Sequence, residues 1–324
     1  YHKADAGQIA IAVGCYHAIP VQPVRFAVKQ AGQPNSLFCW ISAILTPQSL
    51  QRGAAMSQSD QTTSQINIDA YAPAEIARRV ETAGLAKVDM AILPTLALSV
   101  LAGAFIAFGA MYFTMVMTGH GLGFGPSRAL GGLAFSLGLI LVVIAGAELF
   151  TGNNLIAMAW AGRKTTTAKL LRNWALVYVG NFAGSVAAAV IISLSGVMSA
   201  GDGQMAATAM KIAEAKVALP FAEAFFRGVL CNALVCMAVW LCFAAHTVSG
   251  KILAIIFPIS AFVALGFEHS VANMYLIPAG WLAGADAITV SGFIGNLVPV
   301  TLGNIVGGSV FVALVYWIIY LRGK

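Results

Sequence analysis

Residues 264–278 read Ala-Leu-Gly-Phe-Glu-His-Ser-Val-Ala-Asn-Met-Tyr-Leu-Ile-Pro, placing Glu268, His269, Ser270 and Asn273 together in one of the most apolar regions of the chain. Charged and amide groups taken from water without partners cost several kcal/mol each, so a polar cluster at lipid depth must face protein or a water-filled path. A second stretch repeats the pattern. Residues 146–154 read Gly-Ala-Glu-Leu-Phe-Thr-Gly-Asn-Asn, and an offset of 268 − 148 = 120 pairs Glu148 with Glu268, Thr151 with Val271 and Asn153 with Asn273. Downstream, Gly180-Asn181-Phe182-Ala183-Gly184 follows the first cluster and Gly303-Asn304-Ile305-Val306-Gly307 follows the second. Two apolar segments interrupted by Gly and polar residues, in corresponding halves, mark a membrane transporter built from inverted repeats. The plain alternative is chance recurrence of Gly and Glu in long apolar helices, and the shared order of Glu-centred break and GN-x-x-G run argues against it.

Composition agrees. The 324 residues are 59% hydrophobic and 9% charged, against roughly 25% charged in a soluble domain. The net charge of +6 forms no basic stripe with interleaved aromatics, which excludes a nucleic-acid partner. The basic residues lie between apolar segments, as membrane topology requires. Cys15, Cys39, Cys231, Cys236 and Cys242 show no C-x-x-C or metal spacing and read as small buried hydrophobes.

The sequence predicts three regions. Residues 1–55 are expected to be an upstream or poorly ordered extension without a role in transport, because Met56 and the polar run after it look like a natural start. Residues 56–91 form a cytoplasmic segment with an amphipathic helix. Its start is signalled by Pro73 and Glu75, and Ile76, Val80, Ala83 and Lys87 recur at helical spacing, so it is expected along the membrane surface, weakened by Gly84. Residues 92–324 hold six apolar segments, at 92–117, 129–158, 172–198, 220–244, 252–283 and 292–321, each meeting the about 20 residues that a bilayer needs. The second and fifth are broken helices, with Gly146, Gly152, Gly266 and Pro278 as the breakers. Arg163, Lys164, Lys169 and Arg172 follow the second segment, Lys251 precedes the fifth, and Arg322 and Lys324 end the chain, so both termini are expected in the cytoplasm. The GN-x-x-G runs read first as helix-packing surfaces, and the amides of Asn181 and Asn304 as partners for backbone freed at a nearby break.

The GAELFTGN run, the Phe-Phe-Arg-Gly-Val-Leu-Cys-Asn-Ala-Leu-Val-Cys run of the fourth segment, the Gly-Phe-Glu-His-Ser-Val-Ala-Asn-Met run and the Val-Thr-Leu-Gly-Asn-Ile-Val-Gly-Gly run of the sixth together resemble the formate/nitrite transporter family. The resemblance spans about residue 67 to the end. It implies an all-α, aquaporin-like membrane protein of six transmembrane helices in two inverted three-helix repeats, assembled as a homopentamer in the cytoplasmic (inner) membrane. Each subunit has its own pore for small monovalent anions or their acids. By the same resemblance His269 is the central pore histidine and Thr151 faces it from the second break. Phe135, Leu139, Leu149 and Phe262 form the apolar constrictions, with Phe150 beside them, and Asn232 and Lys216 lie near the outer vestibule.

A pore with one titratable donor between two apolar gates neither traps an anion nor refuses it. Burial disfavours a charged imidazole, so His269 is expected neutral until a charge arrives. Lys216 attracts the anion; formate, losing water, becomes a stronger base and takes a proton before or at His269. Glu148 and Glu268 are expected to accept from freed backbone N–H groups of the opposite break, with Asn153, Asn273 and Asn304 supporting the broken helices. His120 and His246 read as loop residues. The glycines around His120 lack the strand and GK[ST] of a phosphate loop. A membrane enzyme would need a metal-ligand set or an activated nucleophile beside His269, and a water or glycerol pore would carry paired Asn-Pro-Ala boxes; neither pattern occurs. No cofactor is called for. The expected substrate is formate with a proton, and nitrite, hydrosulfide or another small monocarboxylate stays open.

Overall fold

The computed structural model describes residues 69–323; the expectations for residues 1–55 and for the lead after Met56 fall outside them. Helix α1 (Pro73–Asp89) carries Pro at its start and Glu75 in its first turn. Its buried face of Ile76, Ala77, Val80 and Val88 packs on protein. Gly84 is part of that contact, since a Cβ there would lie 3.4 Å from the Ile156 Cα. Helix α2 (Ile92–Val116) is a full span, and α3 (Phe124–Ala145) begins before the expected position 129. After a break at 146–149 the second segment resumes as α4 (Phe150–Asn153), a 3-10 turn and α5 (Ala157–Ala161).

Helix α6 (Thr167–Leu194) follows, then α7 (Gln204–Val217), a helix in the stretch between the third and fourth apolar segments. Its Ala209 and Ala213 meet Gly280 at close range. Helix α8 (Phe221–Ala244) spans; α9 (Val248–Ala264) and α10 (Ser270–Leu282) are the two pieces of the fifth segment; α11 (Val290–Ile305), a π-helical stretch (Val306–Leu314) and α12 (Val315–Tyr320) make the sixth. Five of the described helical runs are long and apolar enough to cross a membrane, and the fifth segment is split into shorter helices.

Only two of the four expected breakers act as such. Gly146 closes α3 at φ 81° and Gly266 follows α9 at φ 73°, a region open to Gly at little steric cost. Gly152 lies within α4 and Pro278 within α10, where the helix continues past the missing N–H. The GN-x-x-G runs hold helices at backbone contact. A Cβ on Gly180 or Gly184 would collide with Ser99 or the Val100 carbonyl of α2, and one on Gly303 or Gly307 with the Phe225 or Val229 carbonyl of α8. The halves therefore repeat their packing, with α6 on α2 and α11 on α8.

Candidate functional site

Both breaks are built by one scheme of hydrogen bonds. At the first, Asn181 donates to the carbonyls of Glu148 (2.9 Å) and Ser99 (2.7 Å), and its Oδ1 accepts from the Phe150 N–H at 2.9 Å. At the second, Asn304 donates to the carbonyls of Glu268 (3.0 Å) and Gly228 (2.9 Å), and accepts from the Ser270 N–H at 2.9 Å. These amides thus satisfy backbone that lipid could not. The carboxylates do something else. Glu148 takes the Lys87 ammonium and the Asn153 amide (2.7 Å), and Glu268 takes Lys216 (2.8 and 3.0 Å) and Asn273 (2.6 Å). The expectation that they accept from the opposite break's N–H groups is therefore corrected. A buried carboxylate is best compensated by a cation, and one comes from the last turn of α1 or α7.

A fourth residue completes each set. Asn153 also donates to Asn173 Oδ1 at 3.0 Å, and Asn173 donates to the Lys87 carbonyl at 3.1 Å. Asn273 donates to Asn296 Oδ1 at 2.7 Å, and Asn296 to the Lys216 carbonyl at 2.8 Å. Lys87, Asn173 and Asn296 were missed as site residues, although a signal exists: Asn173 and Asn181, and Asn296 and Asn304, share one offset, 296 − 173 = 304 − 181 = 123.

Between the sets stands His269, 2% exposed. It caps α10, its Nδ1 accepting from the Ala272 N–H at 3.1 Å, and its Nε2 lies 3.0 Å from Thr151 Oγ1. An imidazole nitrogen that accepts from an amide carries no proton, so this ring is the neutral form with its proton on Nε2, donated to Thr151. Phe262 stacks on the ring at 5.9 Å, and Phe135 meets Phe262 edge-on at 5.6 Å.

Two chambers lie along this line. The first, about 500 Å³, has His269, Phe135, Phe262, Glu268 and Lys216 in its wall; the second, about 250 Å³, has Leu139, Leu149, Glu148 and Lys87. Phe135 and Leu139, one turn apart on α3, carry the wall from one to the other. His120 belongs to the first chamber, its Nδ1 3.1 Å from Ser127 Oγ, and His246 meets the Tyr71 ring at a tilt, centroids 4.0 Å apart. Two expected residues stand apart. Asn232 is fully buried and ties Asn154 Oδ1 to the carbonyls of Thr151 and Asn304, away from either chamber. The cause is α8's orientation, which turns that amide to the two breaks. Phe150 packs edge-on against Trp174 and Tyr178 and lines neither chamber, because the first turn of α4 points it at α6 while Thr151 faces inward.

A family model described as formate/nitrite transporter matches residues 74–318. The formate channel FocA of Escherichia coli strain K12 is 40% identical over 273 residues, 78% of this chain and 96% of its own length. A probable formate transporter of Methanothermobacter thermautotrophicus is 42% identical over 268 residues, 77% and 97% of the two chains. Among solved structures, a pentameric formate channel with formate bound matches at TM-score 0.65 and 39% identity, over 71% of this chain and 98% of its own. An FNT family ion channel matches at TM-score 0.70 and 30% identity, over 76% and 98%.

Proposed function

The chain belongs to the formate/nitrite transporter family, and on that premise we propose that each subunit of a homopentamer conducts formate from the Glu268 chamber, past His269, to the Glu148 chamber. The observation that carries the reading is His269 itself, a neutral donor held by Ala272 and Thr151 where the apolar walls meet. Formate is the substrate that gives FocA, the Methanothermobacter transporter and the pentameric channel their names, and nitrite is the alternative within the family.

The first chamber gathers the anion. Phe135 and Phe262 on one side and Leu139 and Leu149 on the other raise the cost of a bare charge between the chambers, so carriage as the neutral acid is favoured. A neutral imidazole that gave up its Nε2 proton outright would be left as an anion. The proton therefore joins formate in the first chamber, and His269 supplies a hydrogen bond that turns from Thr151 to the passing carboxyl. Thr151 holds the donor between passages. On the far side the acid regains water and dissociates.

We place the protein in the cytoplasmic membrane, with the segment before α2 and the end of α12 on the cytoplasmic side. The support is the acid-free basic run Arg163, Lys164, Lys169 and Arg172, which meets α1 through the Lys164–Glu81 and Lys169–Asp89 ion pairs. Three crossings per half then invert the second repeat against the first. The test is uptake of labelled formate and of nitrite into proteoliposomes from pH 5 to 8. Formate uptake is expected to rise as external pH falls, and His269→Phe to lose that response. Equal profiles for the variant and the wild type would leave His269 a structural cap only.

A further inference from the structure

The two chambers are electrostatically unequal. The smaller is lined by Lys87 and Lys251 against Glu148; the larger by Arg128, Lys211, Lys216 and Arg227 against Glu268. Lys216 is spent on Glu268. Arg128 directs Nε and Nη2 to the carbonyls of Ala264 (3.1 Å) and Val263 (3.0 Å), which occupies one edge of its fork and leaves Nη1 over. Arg227 is held only by an exposed contact with Glu223 at 3.0 Å, and Lys211 has no carboxylate partner among the described residues. Three cations on three helices, α3, α7 and α8, thus face one space of about 500 Å³, far more room than a one-carbon acid fills.

From this geometry we propose that the larger chamber is a binding site for divalent oxyanions, which occupy it and block the pore from that face without crossing. The inference rests on the transport reading for its block and stands apart from it for the binding. An anion of two charges gains from several cations at once. Its desolvation cost grows with the square of its charge, and ahead of it stand Phe135, Phe262 and one neutral imidazole donor. The chamber therefore attracts such an ion more strongly than formate, while the passage beyond accepts it less. The smaller chamber, with one unspent cation in Lys251, does not share the property.

Sulfate is the probe. Added to the α7 face of oriented proteoliposomes, it is expected to reduce formate uptake at millimolar concentration, and to do nothing from the opposite face. Lys211→Gln is expected to raise the half-blocking concentration by about threefold, and Lys211→Gln with Arg227→Gln by about tenfold. Binding is read separately by thermal unfolding of the purified pentamer in detergent. Sulfate stabilises folded proteins in general by exclusion from their surface, so the readout is a larger upward shift for wild type than for the double variant. Block of equal size from both faces, block reproduced by potassium chloride at equal ionic strength, uptake of labelled sulfate itself, or identical thermal shifts in wild type and double variant would each overturn the proposal. If formate fails to move at all, the formate reading falls while the thermal comparison still decides the site.

Discussion

The Lys216 ammonium and the Glu268 carboxylate, 14% and 5% exposed, satisfy one another beside the central histidine. Removing one partner of such a pair leaves a buried charge unmatched, a cost of about 3–5 kcal/mol. Lys216→Met is therefore expected to lower the thermal midpoint sharply, and adding Glu268→Gln to restore most of it, a double-mutant cycle read by unfolding in detergent. Thr151→Val probes a different role. It removes the oxygen that accepts from His269 Nε2 and leaves the donor unpaired at a cost of about 1–3 kcal/mol. Formate uptake by this variant is expected to fall while the pH response persists, because the imidazole itself remains. His269, Thr151, the Glu148–Asn153 and Glu268–Asn273 pairs and the amides of Asn181 and Asn304 could be found from sequence because polar groups stand out in apolar chain, whereas Lys87, Asn173 and Asn296 were missed. Asn232 was found as well, but its place was misread, since an amide in a helix can serve a pore or a backbone and only its neighbours decide.

Helices show what glycine does here and where its presence misleads. Gly266 sits at φ 73°, with Arg128 Nη2 3.0 Å from where a Cβ would stand, so Gly266→Ala is expected to cost about 1–2 kcal/mol from backbone conformation alone, measured as a lower midpoint. Within α11 a paired comparison isolates packing. Gly303→Ala drives a methyl into the Phe225 carbonyl of α8, whereas Gly295→Ala meets nothing within 4 Å. The first is expected to destabilise the protein, and the second to leave it unchanged or up to about 1 kcal/mol more stable through helix propensity. Gly152 and Pro278 looked like breakers by the same composition argument, yet helices run through both, as tertiary packing overrides local propensity. Helix α7 was missed because a charged stretch between two spans reads as a loop until its Ala209 and Ala213 are seen against Gly280.

At the scale of the whole molecule the two halves repeat side chain for side chain, from Lys87–Glu148–Asn153–Asn173 to Lys216–Glu268–Asn273–Asn296. The two networks share no residue, so the stability losses of Lys87→Met and Lys216→Met are expected to add to within about 0.5 kcal/mol in the double variant. Function need not add, because both networks frame one histidine. The sequence by itself determined the membrane class, the two halves, the Glu-centred breaks and the histidine. Each of these follows from composition and offset, which lipid makes legible by penalising every polar group that lacks a purpose. Tertiary structure alone decided the pairings. Lys87 meets Glu148 across 61 positions, Lys216 meets Glu268 across 52, and Thr151 meets His269 across 118. A carboxylate accepts equally well from a lysine, an amide or a backbone N–H, and the donor it takes is the one that helix packing brings within about 3 Å.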